Sequence, residues 1–235
     1  MNNSDIIKSF ARLSTSVIAD ASVKLNVPIR YGPSDIVPFF KNSKIAGIIT
    51  PIKHDGSISS VLEALEVSEE GNILYIDNQG RTDEAVIGDL ITLEAKQAGI
   101  SGIIVWGFHR DSSGLSNIDL PIFSTGRLPV GPRRSSDNFN NSNKSVFLGE
   151  FEVFSTDVMF ADTDGIIVVA ASHVKQILEE ALKIQKTEQK QIERLINGLS
   201  LRKQFHFSDY QLMKKMKENY SFRKHLQQIG GSIET

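Results

Sequence analysis

Residues Gly88 to Asp111 read GDLITLEAKQAGISGIIVWGFHRD, and the order of helix-forming, turn-forming and apolar residues in this stretch decides the fold. Leu90, Leu93, Ala95 and Ala98 follow Gly88-Asp89 as helix-compatible residues, and Gly99 supplies a C-terminal stop. Ile103, Ile104, Val105 and Trp106 form a short apolar run that suits a buried strand. A helix of roughly 9 residues spans about 14 Å. A strand of roughly 5 residues spans about 16 Å. With lengths so matched, a tight turn at Ile100-Ser101 runs the strand back alongside the helix. The start of the helix and the end of the strand then share one edge. Asp89 and the N–H groups of the first helical turn are expected to face His109, Arg110 and Asp111 across a small space. A helix terminus, a guanidinium and two carboxylates at one edge suit a metal and a small carboxylate.

Composition sets the outer bounds. The 235 residues can bury a sizeable core as one domain with an added arm. Hydrophobic residues make up 40% and charged residues 23%, the balance of an ordinary globular chain. The net charge of -2 gives no general reason to expect nucleic acid or an anionic membrane as partner. Without cysteine there is no disulfide, thiolate nucleophile or Cys-based metal site, which fits a reducing, cytoplasmic location. The opening MNNSDIIKSF is polar and lacks the apolar core of a signal peptide. No apolar run approaches the ~20 residues of a transmembrane helix.

Outward from the central stretch, residues 5–27 read as two helices. Ile6, Ile7, Phe10 and Leu13 lie on the first, and Ser14-Thr15 cap a second that carries Val17, Ile18, Ala21 and Leu25. Asp20, on the second helix, reads either as a solvated carboxylate or as an acid lining a neighbouring subunit's site. Ile45 to Pro51 reads as a strand with a glycine, Gly47, where close packing is expected. His54 follows it, more in keeping with a structural histidine than a ligand. Val61 to Glu66 reads as a short helix, and Ile73 to Asp77 as a strand closed by a turn at Asn78-Gln79-Gly80.

Beyond Asp111, Pro121 to Ser124 is a short strand, and Gly126, Pro129, Gly131 and Pro132 mark a rigid loop. Ser135 to Ser145 is low in complexity and reads as a mobile surface loop. Val146 to Phe154, Asp157 to Ala161 and Ile166 to Ala170 read as β-structure. Val174 to Asn197 carries an apolar stripe near period 3.6 and reads as the longest helix, stopped by Gly198. The tail from Leu199 is basic between Arg202 and Lys224. Its aromatics, Phe205, Phe207, Tyr210, Tyr220 and Phe222, are expected to dock on the body or on another subunit; contact with RNA is the lesser alternative. Strands mixed with helices make this an α/β or α+β domain with a layered sheet core.

The motifs absent from the chain narrow its chemistry. No G-x-G-x-x-G, G-x-x-x-x-G-K-[ST] or G-x-S-x-G occurs, nor any H-E-x-x-H. Oxygen ligands remain, and they suit Mg²⁺ or Mn²⁺. Asp111 is the best ligand candidate, although Arg110-Asp111 after a strand is equally consistent with a structural ion pair.

The run G-D-L-x3-E-A-K-x2-G-I-x-G-I-I-V-x-G-x-x-R-D, followed by L-P-I-F-S-x-G and G-P, resembles the RraA-like family. That family includes 4-hydroxy-4-methyl-2-oxoglutarate aldolases and the regulator of RNase E activity. The resemblance extends to Leu13-Ser14-Thr15 with Val17, Asp20 and Ala21, and to Ala161 through Val169, so it covers about residues 10–200. WGFHRD and the tail FRKHLQQIGGSIE resemble one subgroup. Some relatives carry the label of demethylmenaquinone methyltransferase, which the residues here do not support.

The resemblance implies an α/β fold of the β/β/α swivelling-domain type over residues 1–200, with 201–235 as a C-terminal helical arm. It implies a homo-trimer or hexamer with sites at subunit interfaces. It also implies a divalent-metal-dependent aldolase and oxaloacetate decarboxylase-like lyase that releases pyruvate from a small 2-oxo acid. By resemblance Asp111 holds the metal and Arg110 binds the 2-oxo oxygen and steadies the developing enolate. Gly88, Leu90 and Ile91 form the substrate-binding turn, with backbone N–H groups of Leu90 and Ile91 on the carboxylate. Asp89 holds the water that shuttles the proton. One departure matters: the family motif continues with an acid where this chain has Gly114. Its absence is expected to weaken metal binding, shift the role to Asp119 or another acid, or mark a non-catalytic regulatory or binding oligomer. Trp106, where aldolases commonly show Asp, is expected to alter the site wall.

Overall fold

The computed structural model describes residues 1–132 and 144–230. The low-complexity stretch lies outside them except for Lys144 and Ser145. The chain opens with helices α1 (Asn3–Phe10) and α2 (Thr15–Leu25), then short strands β1 (Arg30–Tyr31) and β2 (Val37–Pro38). Strand β3 (Ile45–Lys53), helix α3 (Ser59–Val67), strand β4 (Ile73–Ile87), helix α4 (Asp89–Gln97) and strand β5 (Gly102–His109) follow. After the single turn α5 (Ser112–Leu115) come β6 (Ile122–Arg127), the pair β7 (Ser145–Leu148) and β8 (Phe151–Phe154), then β9 (Asp157–Asp162) and β10 (Gly165–Ala170). Helix α6 (Ala171–Ile196) leads to three short helices, α7 (Leu201–Gln204), α8 (Phe207–Met216) and α9 (Phe222–Ile229).

Eight strands form one sheet in the order β1-β10-β9-β3-β4-β5-β6-β2. Strands β3 to β6 run parallel, while β9, β10 and the two short edge strands pair antiparallel. Side chains alternate across a strand, and β3 shows where each face goes. Ala46 and Ile52 point into two clusters beneath helices, one with α1, α2 and α6 and the other with α3, α4 and α5. Ile45 and Ile49 point the other way, into a third cluster closed by Val146, Leu148 and Val153 of the β7–β8 hairpin. The layers are therefore hairpin, sheet and helices, the β/β/α arrangement expected above.

Local chemistry sets the element ends. The Asn2 side chain accepts from the Asp5 N–H at the start of α1, and Ser14 accepts from Val17 at the start of α2. Asn26 ends α2 in the left-handed region. The turn expected at Asn78–Gly80 is present, with positive φ at Gln79 and Gly80, but it interrupts no pairing at large scale. It is one of the irregularities that let the 15-residue β4 accompany the much shorter β5, with Asp77 beside Trp106 and Ile87 beside His109. The extra residues bulge out and the strand returns to deliver Gly88 to the carboxyl end of β5.

The tail has a cluster of its own. Its aromatics meet one another: Tyr210 lies 4.9 Å from Phe222 and 5.6 Å from Phe207, centroid to centroid, with Phe205, Tyr220 and His225 around them. His225 Nε2 lies 2.8 Å from the Phe205 carbonyl oxygen, joining α9 to the α7–α8 turn. Ring pairing within about 7 Å stabilises such a cluster locally, which is why three helices too short to persist alone can form a unit.

Candidate functional site

In open α/β sheets the free space for ligands lies beyond the carboxyl ends of parallel strands. Here β4, β5 and β6 end side by side and deliver Gly88, Arg110 and Arg127 to that edge. The loop after β5 is anchored to β4 by the Arg110 N–H, which donates to the Ile87 carbonyl at 2.9 Å. The loop after β6 is anchored in turn: the Ala85 N–H donates to Val130 O at 2.8 Å, and Leu128 N–H to His109 O at 3.0 Å.

Helix α4 begins at Asp89, as the sequence reading expects, with extended Gly88 as its N-cap. Gly88 has a steric role, because a Cβ there would collide with Asp111 Oδ2 and come within 3.3 Å of Arg110 Nε. Its missing side chain is the space into which the Asp111 carboxylate leans. Asp111 itself holds φ 58°, ψ 37°, a left-handed conformation that costs an L-residue free energy. Arg110 Nε stands 3.3 Å from Asp111 Oδ2, and both side chains remain almost half exposed. The Arg110 guanidinium also packs on Gly131, where an added Cβ would come to 2.7 Å from Nη1.

Asp89, Leu90, Ile91, Arg110 and Asp111 thus line one cavity of about 130 Å³, together with Gly88, Ile58 and Pro132. The edge read from the sequence comes together, with four corrections. First, the Leu90 N–H already donates to Asp89 Oδ1 at 2.8 Å, so an incoming carboxylate must compete for it, whereas Ile91 sits in the first turn, where N–H groups lack intrahelical partners. Second, His109 does not face Asp89. It is buried, with Nδ1 2.7 Å from Ser124 Oγ on β6 and its ring edge-on to Phe39. Burial and the nearby Arg127 charge push its pKa below the ordinary value. Third, Trp106 stands against Gly80 and lines a separate cavity with Asp77 and Phe147 on the hairpin face, not the Arg110 cavity. Strand alternation sends it there. Fourth, Asp119 lines neither of the two cavities at Arg110. The acid nearest Gly114 is Asp89: a Cβ on Gly114 would lie 2.7 Å from Asp89 Oδ2. The space of the missing side chain is occupied by the Asp89 carboxylate.

Arg127 was missed by the sequence reading. Arg110 and Asp111 form a wall shared with a second cavity of about 360 Å³, lined by Ser112, Arg127, Leu128 and Pro129. Among the described residues Arg127 makes no ion pair. The signal was its place: directly after L-P-I-F-S-T-G, at the end of the next parallel strand.

Among the described residues no three His, Cys, Asp or Glu side chains converge as a metal cage. The donor set that does exist is Asp111, with Asp89 nearby on the same cavity. One or two carboxylates completed by waters and a chelating ligand fit Mg²⁺ or Mn²⁺, which bind this way. Asp20 is elsewhere, on α2, where partial desolvation raises its pKa and its charge raises that of Glu188 on α6.

Fold and site together define an α/β protein whose parallel strands end at a cavity lined by a helix terminus, a guanidinium and two carboxylates. Residues 15–168 match the model of the RraA-like family, described as Aldolase/RraA, and the chain belongs to that family. A protein of Halalkalibacterium halodurans, provisionally named 4-hydroxy-4-methyl-2-oxoglutarate aldolase, is 27% identical over 182 residues, covering 77% of this chain and 84% of that one. A solved structure from Pseudomonas syringae pv. tomato superposes with a TM-score of 0.71 at 22% identity, covering 85% of this chain and 96% of the other. A Streptomyces coelicolor protein, described as an unusual member of the RNase ES inhibitor RraA family, superposes at 0.68 with 22% identity, covering 80% and 95%. Helices α7 to α9 lie beyond the family match. Among the described residues no helix is long and apolar enough to cross a membrane.

Proposed function

We propose that this protein is a divalent-metal-dependent lyase that cleaves a small 2-oxo acid and releases pyruvate. The observation that carries the reading is Arg110 and Asp111 set against the first turn of α4 across a cavity of about 130 Å³. Breaking a carbon–carbon bond beside a 2-oxo group sends the electron pair toward the oxo oxygen as an enolate. Arg110 lies where its guanidinium can bind that oxygen and stabilise the growing charge. The Ile91 N–H and the α4 dipole receive the adjoining carboxylate. Asp111, with Asp89 through water, would hold Mg²⁺ or Mn²⁺, which when bound supplies Lewis-acid withdrawal of charge. In a retro-aldol cleavage a water held by Asp89 takes the proton of the substrate hydroxyl as the bond breaks, and a proton returns to the enolate carbon to give pyruvate.

The test is a coupled pyruvate-release assay on oxaloacetate and 4-hydroxy-4-methyl-2-oxoglutarate, with Mg²⁺ or Mn²⁺ and then with EDTA. Turnover that needs the metal and falls at least about 100-fold in Arg110→Ala is the expected result. Wild-type rates in Arg110→Ala and Asp111→Ala, with the fold intact, would sink the assignment.

A second reading is favoured by the Gly114–Asp89 contact. With Asp89 filling the space of a side chain at 114, the edge has one acid fewer than the family pattern, which suits a non-catalytic binding or regulatory oligomer. That reading expects no turnover on any 2-oxo acid.

A further inference from the structure

Charge divides this chain unevenly. Residues 201–235 hold seven Lys and Arg against three Asp and Glu, while residues 1–200 hold 19 against 25. The arm is basic and the body acidic. On α8, Tyr210 turns into the aromatic cluster, and Leu212 and Met216 stand one turn apart on the outside, 60% and 79% exposed. Lys215 lies beside them and Lys217 follows at the helix end, both exposed.

Helix α3 presents the complementary pattern. Val61 and Ala64 are buried in the core, and the outer face carries Leu62, 41% exposed, one turn from Glu66. Ile58 and Val67 are exposed at its ends, with Glu63, Glu69 and Glu70 around them, also exposed. One surface is apolar ringed by lysine, the other apolar ringed by glutamate.

We infer that α8 of one copy docks on α3 of a second copy of this chain. Leu212 and Met216 meet Leu62, with Lys215 and Lys217 facing Glu63 and Glu66. The apolar contact contributes affinity, and the charges fix the pairing and make it sensitive to salt. Because Ile58 also lines the Arg110 cavity, the docked arm lies at the rim of the second copy's candidate site. This pairing does not depend on the chemistry at Arg110.

The absence of cysteine from the chain gives a clean background for the test. Full-length Leu62→Cys and Leu212→Cys are mixed at low salt and oxidised. A mixed disulfide dimer is expected, at a yield well above that of Val23→Cys with Leu212→Cys, whose first position is 65% exposed on a different helix. Adding Lys215→Glu and Lys217→Glu to the second partner should lower the yield about tenfold. Adding Glu63→Lys and Glu66→Lys to the first should then restore it. No mixed dimer above the Val23→Cys control overturns the proposal, as does a yield indifferent to charge reversal. Binding of the arm to phosphatidylserine vesicles with no cross-link in the mixture would likewise overturn it in favour of a membrane surface.

Discussion

Asp111 combines a strained backbone with an exposed carboxylate, and the two can be separated by substitution. At φ 58° glycine is at ease, whereas alanine bears the steric cost. Asp111→Gly should be more stable to denaturant than Asp111→Ala by about 1 kcal/mol, while both lose metal-dependent pyruvate release. Equal stabilities would show that the turn relaxes when the carboxylate is removed. Arg127 offers a second test. On the proposed reading its guanidinium takes the carboxylate that stays with the departing half of 4-hydroxy-4-methyl-2-oxoglutarate. Arg127→Gln should raise KM for that compound about tenfold, the loss of roughly one charged hydrogen bond. In oxaloacetate the distal carboxylate itself leaves as carbon dioxide, and a cation there stabilises the ground state. Decarboxylation should therefore keep its kcat in Arg127→Gln. A parallel loss on both substrates would assign Arg127 to general folding of the loop.

Among the elements, β3 and β4 bear most of the positioning. Gly47 on β3 faces the Gly71 carbonyl so closely that a Cβ would collide with it, and neither backbone can yield without moving β4. Gly47→Ala should cost about 1–3 kcal/mol by overpacking and lower the melting temperature in a thermal scan. A change under about 0.5 kcal/mol would mean that the two strands slide freely. The close approach expected at Gly47 was legible because glycine inside an apolar strand has few other uses. The bulged path of β4 was not, since residues 78–87 are polar and apolar in no strand period, and pairing with β5 and the loop at Val130 fixes them.

For the whole molecule, the arrangement is a family body continued by α6 into an arm with its own aromatic cluster. We propose that the arm opens as a separate unit. Tyr210→Ala removes the ring at the middle of the cluster and should abolish amide-exchange protection in α7 to α9 while leaving that of β3 to β6 unchanged. Loss of protection in the sheet as well would join arm and body into one cooperative unit. Because the proposed contact with a second copy uses α8, the same variant should also weaken the cross-link.

The sequence by itself determined a helix after Gly88-Asp89 stopped by Gly99, the strand that follows, and the meeting of their ends around Arg110 and Asp111. Those are local facts: a glycine at each end, apolar residues at the right period, and element lengths that must match. Sequence likewise carried the family through the run from Gly88 to Asp111. Only the tertiary structure decided which way the flanking side chains point. His109 and Trp106 belong to the same strand as the site, yet strand alternation and the bulges opposite them send Trp106 to the hairpin face and bury His109 against Ser124. It also decided that Asp89 fills the space at Gly114 and that Arg127 borders the cavity beside Arg110. Such contacts join residues far apart in the chain, and their geometry is set by how three parallel strands end together rather than by any pattern along one of them.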